Sequence, residues 1–400
     1  MKRLLSIVLM GILVASTFPG GVFAAPAGLP GFSVSGTQSA EAIDDVLTVP
    51  SSDYGSLVTV YNSTVAEYDS DEDAIHTSPG GYTFLIDDRA FILSETGDAI
   101  EAEGTNNTIL NSGGQIIGSL AGSGVVTGYN GLVLNDLGGE IYGAVVAVDV
   151  GSGSTVLNLD GSYIDSAAIG INGGDDVDVV NEGFIGDEEE PIGWDSIVNP
   201  DAIAINLGSG ANVTNLGLIA SYGDGIVTGD DSVVVNTVNA AILSDIEFSA
   251  VPATAIHVGD DSTVINEGWV ESVTADGIVA GYNATVINSG VVDAMYSGIE
   301  TGSDSYVENS GEIWADLIFF GGTTGISTGN NSAVLNDGLV FSGTSNGIST
   351  GYNSTVTNDG IIDAGIDGIH VGYNSTVVNN GEIFSDRTFE NGVAGCGIEA

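Results

Sequence analysis

A repeated pattern of glycine, valine and asparagine predicts an all-β fold, a parallel β-helix (β-solenoid) with three short strands in each coil. The hexapeptide GYNSTV occurs at 351–356 and again at 372–377, and close variants recur along the 400-residue chain. Twelve units, most of about 21–24 residues, align on its first glycine, and all twelve carry asparagine seven positions later. Each unit contains three alternating runs and no pattern typical of an amphipathic helix.

The three runs of a unit predict one strand each. The first has the form GIxxG, the second STVxN, and the third GxI or GxV. One unit cannot bury its apolar face alone, so successive units stack, each strand pairing with its counterpart about 4.8 Å along the axis. Twelve coils would make a rod of about 55–60 Å. Because side chains alternate between the two faces of a strand, these residues of one coil are expected to point inward: Ala284, Val286, Asn288, Val292, Ala294, Ile299 and Thr301.

The invariant asparagine of the second strand is expected to be structural. An inward amide is unfavourable unless it is hydrogen-bonded, and twelve amides in register can bond to one another and to the turn backbone. The sequence therefore predicts a ladder of side-chain amides along the rod. Its members are Asn111, Asn135, Asn158, Asn181, Asn215, Asn236, Asn266, Asn288, Asn309, Asn336, Asn358 and Asn379.

The segment between the first and second strands is predicted to form a sharp corner. Its glycine and asparagine are expected to supply the positive φ angles that such a turn needs. Three units carry paired aspartates here, at 175–176, 230–231 and 260–261. Because the same position accepts Tyr-Asn and Ser-Asp, we interpret these carboxylates as turn formers. Calcium bridging between neighbouring turns is the functional alternative.

The N-terminus has the pattern of an export signal. Lys2 and Arg3 precede an apolar run over 4–14, and small residues end at Ala24. That run is too short to span a bilayer, and no later stretch is long enough. We predict a cleaved signal peptide over 1–24, an N-terminal cap over 25–72 and the β-helix repeats over 73–400. An extracellular or cell-surface location follows.

The charge is strongly acidic. The sequence has 54 Asp and Glu against 4 Lys and Arg, a formal net charge of −50. Binding to nucleic acid requires cations that neutralise phosphate, so this class of partner is excluded. The imbalance suits solubility, high salt or bound divalent cations. Disulfides within the chain are excluded too, because Cys396 is the single cysteine.

The unit GIxxGxNSTVxNxGxI, together with the export signal, resembles the passenger repeats of bacterial autotransporters and, more broadly, pectate-lyase-like proteins. The resemblance covers roughly residues 73–400. It implies a right-handed coil and a structural or adhesive role at the cell surface. It also implies a membrane barrel beyond residue 400, and since the chain ends at CGIEA, within a further GIxxG strand, we expect a fragment of a longer protein.

Sequence motifs of an enzyme are not evident. Many pectate-lyase-like enzymes use Arg or Lys in the active site, but only Arg89 and Arg387 remain once the signal is removed, near opposite ends of the rod. We therefore expect no catalytic residues. A polysaccharide lyase or hydrolase of the same fold is the alternative.

Three histidines, His76, His257 and His370, share one outward position on the first strand. His257 and His370 are five coils apart, which is about 24 Å, so they cannot bind one metal ion together. We interpret all three as surface residues. No metal site and no cofactor are expected, apart from the calcium alternative at the turns.

Aromatic residues mark the expected binding side. Some point outward from the third strand beside carboxylates, and others lie in three insertions between the third and first strands. Unless an adjacent loop covers them, such side chains suit stacking on a sugar or docking a protein. The predicted partner is thus a carbohydrate or a protein at a cell surface or matrix. The residues are Trp269, Trp314, Phe341, Phe384, Trp194, Phe248, Phe319 and Phe320.

Overall fold

The structure, a computed structural model, is a parallel β-solenoid in which three sheets stack along one axis. It describes residues 31–35, 43–44, 47–49, 57–61, 64–67, 73–78, 80–187, 199–245, 251–316, 323–385 and 395–400. Each sheet has fifteen strands among these residues, and every neighbouring pair is parallel. The predicted all-β fold with three strands per coil is confirmed.

The sheets are named after the strand of the unit that builds them. The second-strand sheet contains β1 (Gly31–Ser35), β4 (Leu57–Tyr61), β7 (Thr83–Asp87), β10 (Thr108–Ser112), β13 (Leu132–Asp136), β16 (Thr155–Asn158), β19 (Asp178–Asn181), β22 (Asn212–Asn215), β25 (Val233–Asn236), β28 (Thr263–Asn266), β31 (Thr285–Asn288), β34 (Tyr306–Asn309), β37 (Ala333–Asn336), β40 (Thr355–Asn358) and β43 (Thr376–Asn379).

The third-strand sheet follows it in every coil. It contains β2 (Ile43–Asp44), β5 (Thr64–Glu67), β8 (Phe91–Ser94), β11 (Gln115–Gly118), β14 (Glu140–Gly143), β17 (Tyr163–Ser166), β20 (Phe184–Gly186), β23 (Leu218–Ser221), β26 (Ala241–Ser244), β29 (Trp269–Ser272), β32 (Val291–Ala294), β35 (Glu312–Ala315), β38 (Leu339–Ser342), β41 (Ile361–Ala364) and β44 (Glu382–Phe384).

The first-strand sheet closes the coil. It contains β3 (Leu47–Val49), β6 (Ile75–Thr77), β9 (Ile100–Ala102), β12 (Val125–Thr127), β15 (Val146–Val150), β18 (Ile169–Gly173), β21 (Ile203–Leu207), β24 (Asp224–Thr228), β27 (Ile256–Val258), β30 (Ile278–Ala280), β33 (Ile299–Thr301), β36 (Ile326–Thr328), β39 (Ile348–Thr350), β42 (Ile369–Val371) and β45 (Ile398–Glu399).

Branched aliphatic side chains fill the interior in columns. Val264, Val286 and Val307 are stacked partners on three successive coils, and each is fully buried. The seven residues predicted to point inward in one coil are all buried. Each fully buried valine or isoleucine contributes about 1.5–3 kcal/mol relative to exposure. The hydrophobic columns therefore hold neighbouring coils together.

The parallel ladder starts within the segment assigned to a cap. β1 pairs with β4, and β4 pairs in turn with β7. Strands of the solenoid thus occur inside 25–72, and a capping role for that region stays a prediction. The signal peptide predicted over 1–24 lies outside the described residues. Strand pairing does not fix the hand of the coil, so right-handed winding also stays a prediction.

The corner between the first and second strands differs in one respect from expectation. Its third residue has a positive φ in all twelve units, as at Asn283 (φ 53) and Asn353 (φ 57). Among the opening glycines only Gly104 does (φ 91). At Gly128, a Cβ would collide with the carbonyl oxygen of Gly104 on the preceding coil. The opening glycine is therefore needed for close stacking, and the assignment of positive φ to it was wrong.

Across the described residues, no helix is long and apolar enough to cross a membrane.

Candidate functional site

The outward face of the third-strand sheet brings two of the predicted aromatic residues together. Trp314 on β35 and Phe341 on β38 are register partners, with ring centroids 5.2 Å apart and ring planes at 38°. Both side chains are half-buried. The indole Nε1–H of Trp314 donates to Oε2 of Glu312 at 3.1 Å. This hydrogen bond between residues i and i+2 orients the ring along the strand, so the pair forms a small, oriented aromatic surface.

Trp269 and Phe384 are exposed, with 42% and 53% of their surface accessible, but they stand apart from that pair. Trp269 is the first residue of β29, whereas Trp314 is the third residue of β35 two coils further on. The indole of Trp269 donates to Oε2 of Glu271 at 3.0 Å. Phe384 is separated from Phe341 by Asp363, its register partner. The four predicted aromatic residues on the outward face of the third-strand sheet are thus one contacting pair and two separate flanking residues, with carboxylates between them.

The remaining four predicted aromatics lie outside the described residues, in the insertions: Trp194, Phe248, Phe319 and Phe320.

Carboxylates surround the aromatic pair. In the column that contains Trp314 and Phe341, Glu271 and Asp293 precede them and Asp363 follows. Burial, with Glu271 and Asp316 nearby, raises the pKa of Asp293. Hydrogen-bond acceptors therefore border an apolar surface, which is the combination that orients a ring bearing both hydroxyl groups and C–H faces.

A second carboxylate group lies further toward the N-terminus on the same sheet. Asp165, 7% exposed, is the register partner of Tyr142, and Asp187 follows β20. Burial and the neighbouring Asp165 raise the pKa of Asp187 to about 7. A carboxyl group with so high a pKa can retain its proton near neutrality, as a general acid must.

Near this group an apolar depression of about 360 Å³ opens at the corner between the second-strand and third-strand sheets. Tyr163, Phe184 and Leu218 line it, with Asp160 and Glu182 also contributing. The rings of Tyr163 and Phe184 are 6.1 Å apart. Sequence reasoning missed this surface although it named Trp269, which lies in the same outward column as Tyr163 and Phe184.

In the interior, the twelve predicted asparagines form one unbroken ladder. Nδ2 of each donates to Oδ1 of the next, as from Asn266 to Asn288 at 2.8 Å and from Asn288 to Asn309 at 2.8 Å. The other Nδ2 hydrogen bonds to a backbone carbonyl, such as that of Val291 for Asn266. All but Asn379, at the last coil, are buried. The buried ladder amides are therefore engaged in hydrogen bonds inside the solenoid and are not available to bind a ligand at its surface.

The paired aspartates of the corner also have structural partners. Oδ1 of Asp230 accepts the backbone N–H of Asp260 at 2.8 Å, and Oδ1 of Asp260 accepts that of Tyr282 at 2.7 Å. The second aspartate of each pair, such as Asp261, holds the positive φ. Their geometry agrees with the interpretation as turn formers.

Two histidines lie among carboxylates, an arrangement that the sequence analysis missed. Nδ1 of His76 is 2.6 Å from Oε2 of Glu101 and 3.2 Å from Oδ2 of Asp73. Nδ1 of His370 is 3.4 Å from Oε2 of Glu399 and 3.8 Å from Oδ2 of Asp367. Asking only whether two histidines could bind one ion overlooked the neighbours that each has on its own and the next coil.

In the first of these clusters, the neighbouring groups shift the pKa values of both the histidine and the glutamate. Burial lowers the pKa of His76, but hydrogen bonding and charge from Glu101 and Asp73 outweigh it, so the pKa is raised overall. Burial and the nearby Asp73 raise the pKa of Glu101, against the opposing effect of His76. The three groups are thus close enough to control one another's protonation.

Two tyrosines at the corner form another exposed aromatic pair. Tyr352 and Tyr373 stack at a centroid distance of 4.7 Å, with 45% and 76% of their surface accessible. They lie at the corner between the first and second strands, whereas Trp314 lies on the third-strand sheet. Identical hexapeptides one coil apart were the available signal, because register places equivalent residues on top of each other.

The fold defines the class of protein: the chain is a parallel β-solenoid. Compared with models of known protein families, with curated proteins and with solved structures, it shows no match in any of the three. The resemblance to autotransporter passengers therefore stays a prediction.

Proposed function

We propose that this chain is an exported, rod-shaped surface protein with an adhesive role, which binds carbohydrate through the outward face of its third-strand sheet. The observation that carries the proposal is the Trp314–Phe341 pair with Glu312 holding the indole. The N-terminal export pattern and the acidic composition support a location outside the cell.

The aromatic pair suits a sugar because its orientation is set before a ligand arrives. A sheet face holds the Cβ positions rigidly, and the Glu312 hydrogen bond removes rotamer freedom that binding would otherwise have to restrict. Sugar rings present C–H faces to an aromatic ring, and their hydroxyl groups donate to carboxylates. Trp269, with its own Glu271 hydrogen bond, offers a second platform two coils away.

Charge narrows the class of carbohydrate. The face carries Glu271, Asp293 and Asp363 and belongs to a chain with a net charge of −50. An anionic polysaccharide would be repelled over the whole approach path. The proposed ligands are therefore neutral or amino-sugar oligosaccharides.

An oligosaccharide array followed by calorimetry tests the proposal. The full chain is expected to bind neutral or amino-sugar oligomers, with Trp314→Ala weakening binding about two- to tenfold, the loss of one stacking contact. Trp314→Phe should restore part of it. Tyr129→Ala is the matched control, since Tyr129 is also an exposed aromatic residue, 62% accessible, but lies at the corner between the first and second strands, away from the third-strand sheet. Equal affinity of Trp314→Ala and the native chain for every oligomer bound would contradict this assignment.

Polysaccharide cleavage is the second candidate function, favoured by Asp187 beside Asp165. A retained proton next to a second carboxylate is the arrangement of a glycosidase acid. The same oligomers, incubated with the protein and assayed for new reducing ends or unsaturated products, separate the candidates. Release of products that Asp187→Asn abolishes would support the enzyme, while binding without products supports the adhesin.

A further inference from the structure

The two histidine clusters have the same arrangement of residues although they lie near opposite ends of the described solenoid. In each, a strand of the first-strand sheet carries the histidine, and the next coil places a glutamate as its register partner: His76 with Glu101, His370 with Glu399. The aspartate three residues before the histidine completes each set. β6 and β42 are twelve coils apart, on the order of 60 Å, so these are two separate sites.

In each aspartate, one carboxylate oxygen accepts a backbone hydrogen bond and the other lies near the histidine. Oδ1 of Asp73 accepts the backbone N–H of Asp98 at 2.9 Å, and Oδ1 of Asp367 accepts that of Cys396 at 2.8 Å. This bond fixes the carboxylate and turns Oδ2 toward the histidine. The orientation of one ligand is thus set by the coil above it, as supporting hydrogen bonds orient ligands in metal sites.

The ligand atoms have the spacing and chemistry of a metal site. In each cluster one imidazole nitrogen and two carboxylate oxygens lie within 4.8 Å of one another. Two ligands about 2.1 Å from a tetrahedral ion are about 3.4 Å apart, which matches the 3.4 and 3.8 Å separations around Nδ1 of His370. In the first cluster, Nδ1 of His76 and Oε2 of Glu101 are 2.6 Å apart, so an ion would replace the hydrogen bond between them and move them apart. Nδ1 of His370 is shielded from solvent and makes no hydrogen bond with any described residue. In the neutral tautomer protonated on Nε2, the lone pair of Nδ1 is free for an ion.

His257 shows that the position alone does not create such a cluster. It occupies the same place on β27, but Thr254 replaces the aspartate and its register partner on the next coil is Val279. His257 therefore lacks the aspartate of its own coil and the glutamate of the next coil, and Asp224 of the preceding coil is the carboxylate that interacts with it electrostatically.

We propose that Asp73–His76–Glu101 and Asp367–His370–Glu399 are two divalent transition-metal sites that join neighbouring coils near the two ends of the rod. A nitrogen with two carboxylate oxygens suits Zn²⁺, which takes four mixed N and O ligands with water in the remaining position. Calcium prefers six to eight oxygens and is disfavoured by the imidazole. Each ion would add a cross-link between neighbouring coils to the backbone pairing, packing and side-chain hydrogen bonds that already connect them.

Zinc binding to the full chain, measured by calorimetry, tests this proposal. A large excess of Ca²⁺ in the buffer occupies the diffuse acidic surface, so that only sites selective for nitrogen-containing ligand sets remain. The native chain is expected to bind two Zn²⁺ ions, His76→Ala and His370→Ala one each, and the double variant none. His257→Ala, the matched control, should still bind two. Zn²⁺ should raise the melting temperature of the native chain and leave that of the double variant unchanged.

Glu101→Gln provides a variant that keeps the side-chain shape and removes one charged ligand. It should weaken the first site at least about tenfold, with circular dichroism unchanged. A stoichiometry that neither His76→Ala nor His370→Ala reduces would overturn the proposal, and so would an equal loss of zinc in His257→Ala. The absence of saturable zinc binding in calcium-containing buffer would have the same consequence.

Discussion

Asparagine has two different structural roles in this chain, one in the interior and one at the corner. Asn288 is fully buried and bonded to the amides above and below it, whereas Asn283, five residues earlier, is exposed and holds a positive φ at the corner. Position in the unit decides between these roles. A recurring residue in a repeat is therefore explained by its slot before any function is assigned to it.

Removing one rung of the ladder should be costly. Asn288→Ala leaves Nδ2 of Asn266 without its acceptor and Oδ1 of Asn309 without its donor, both in the dry interior. Unpaired buried groups of this kind cost about 1–3 kcal/mol each, so we expect about 2–4 kcal/mol of destabilisation by urea unfolding.

Asn379→Ala is the control for that variant, because Asn379 ends the ladder with one link and is exposed. Its loss should be below about 1 kcal/mol. Equal effects of the two variants would show that the interior amides are not held as described.

A pH effect is expected from Asp187. Its pKa in the folded chain is about 7, above the ordinary value of 3.8, because of burial and Asp165. Between about pH 4 and pH 7 the folded state thus keeps a proton that the unfolded state has lost, so stability falls as pH rises through this window. Asp187→Asn should therefore stabilise the protein relative to the native chain above pH 7 and make no difference below pH 4.

Melting temperatures of both chains across pH 3.5–8 measure this difference, and Asp178→Asn serves as a control at a carboxylate of the second-strand sheet. A gain for Asp187→Asn that stayed constant with pH would contradict the assignment.

At the scale of the element, the repeat predicted strand type, order and facing, because a period of two within strands and a fixed unit length determine them. The inward residues of β31, β32 and β33 were predicted correctly. What the repeat could not reveal is which outward residues touch. Glu101 lies 25 residues after His76 and meets it only because of the coil length. Such pairs become visible once the register between coils is known.

The corner supports a prediction about its opening glycine. Gly128→Ala would place a methyl group against the backbone of Gly104, which cannot move without disturbing the adjacent strands. We expect about 2–3 kcal/mol of destabilisation, seen as a lower urea midpoint.

Gly397→Ala is the comparison, since a Cβ there has no neighbour within 4 Å. It should change stability by less than about 0.5 kcal/mol. If both substitutions were equally tolerated, close stacking of the corners would not be the reason for the glycine.

For the whole molecule, the stacked coils and the charge have separate consequences. Stacking makes a rigid rod whose faces repeat every coil, so a ligand with its own repeat can contact several equivalent positions. With a net charge of −50, we expect rods to repel one another and anionic ligands to be disfavoured. The sequence predicted the stacked coils, whereas the binding role of the aromatic residues stays a prediction. Their division into one pair and two flanking residues depends on which outward column each occupies, as with Trp269 and Trp314.

Solvent exchange of asparagine side-chain amides tests the stacked, inward-facing ladder most directly. With the chain labelled by ¹⁵N-asparagine alone, nuclear magnetic resonance should find slowly exchanging side-chain NH₂ groups from the buried ladder members, and fast exchange from corner residues such as Asn283 and Asn353. Asn288→Ala should remove one slow signal and speed the exchange of its neighbours, Asn266 and Asn309. Uniformly fast exchange of every asparagine side chain in the folded protein would contradict the ladder and the solenoid built around it.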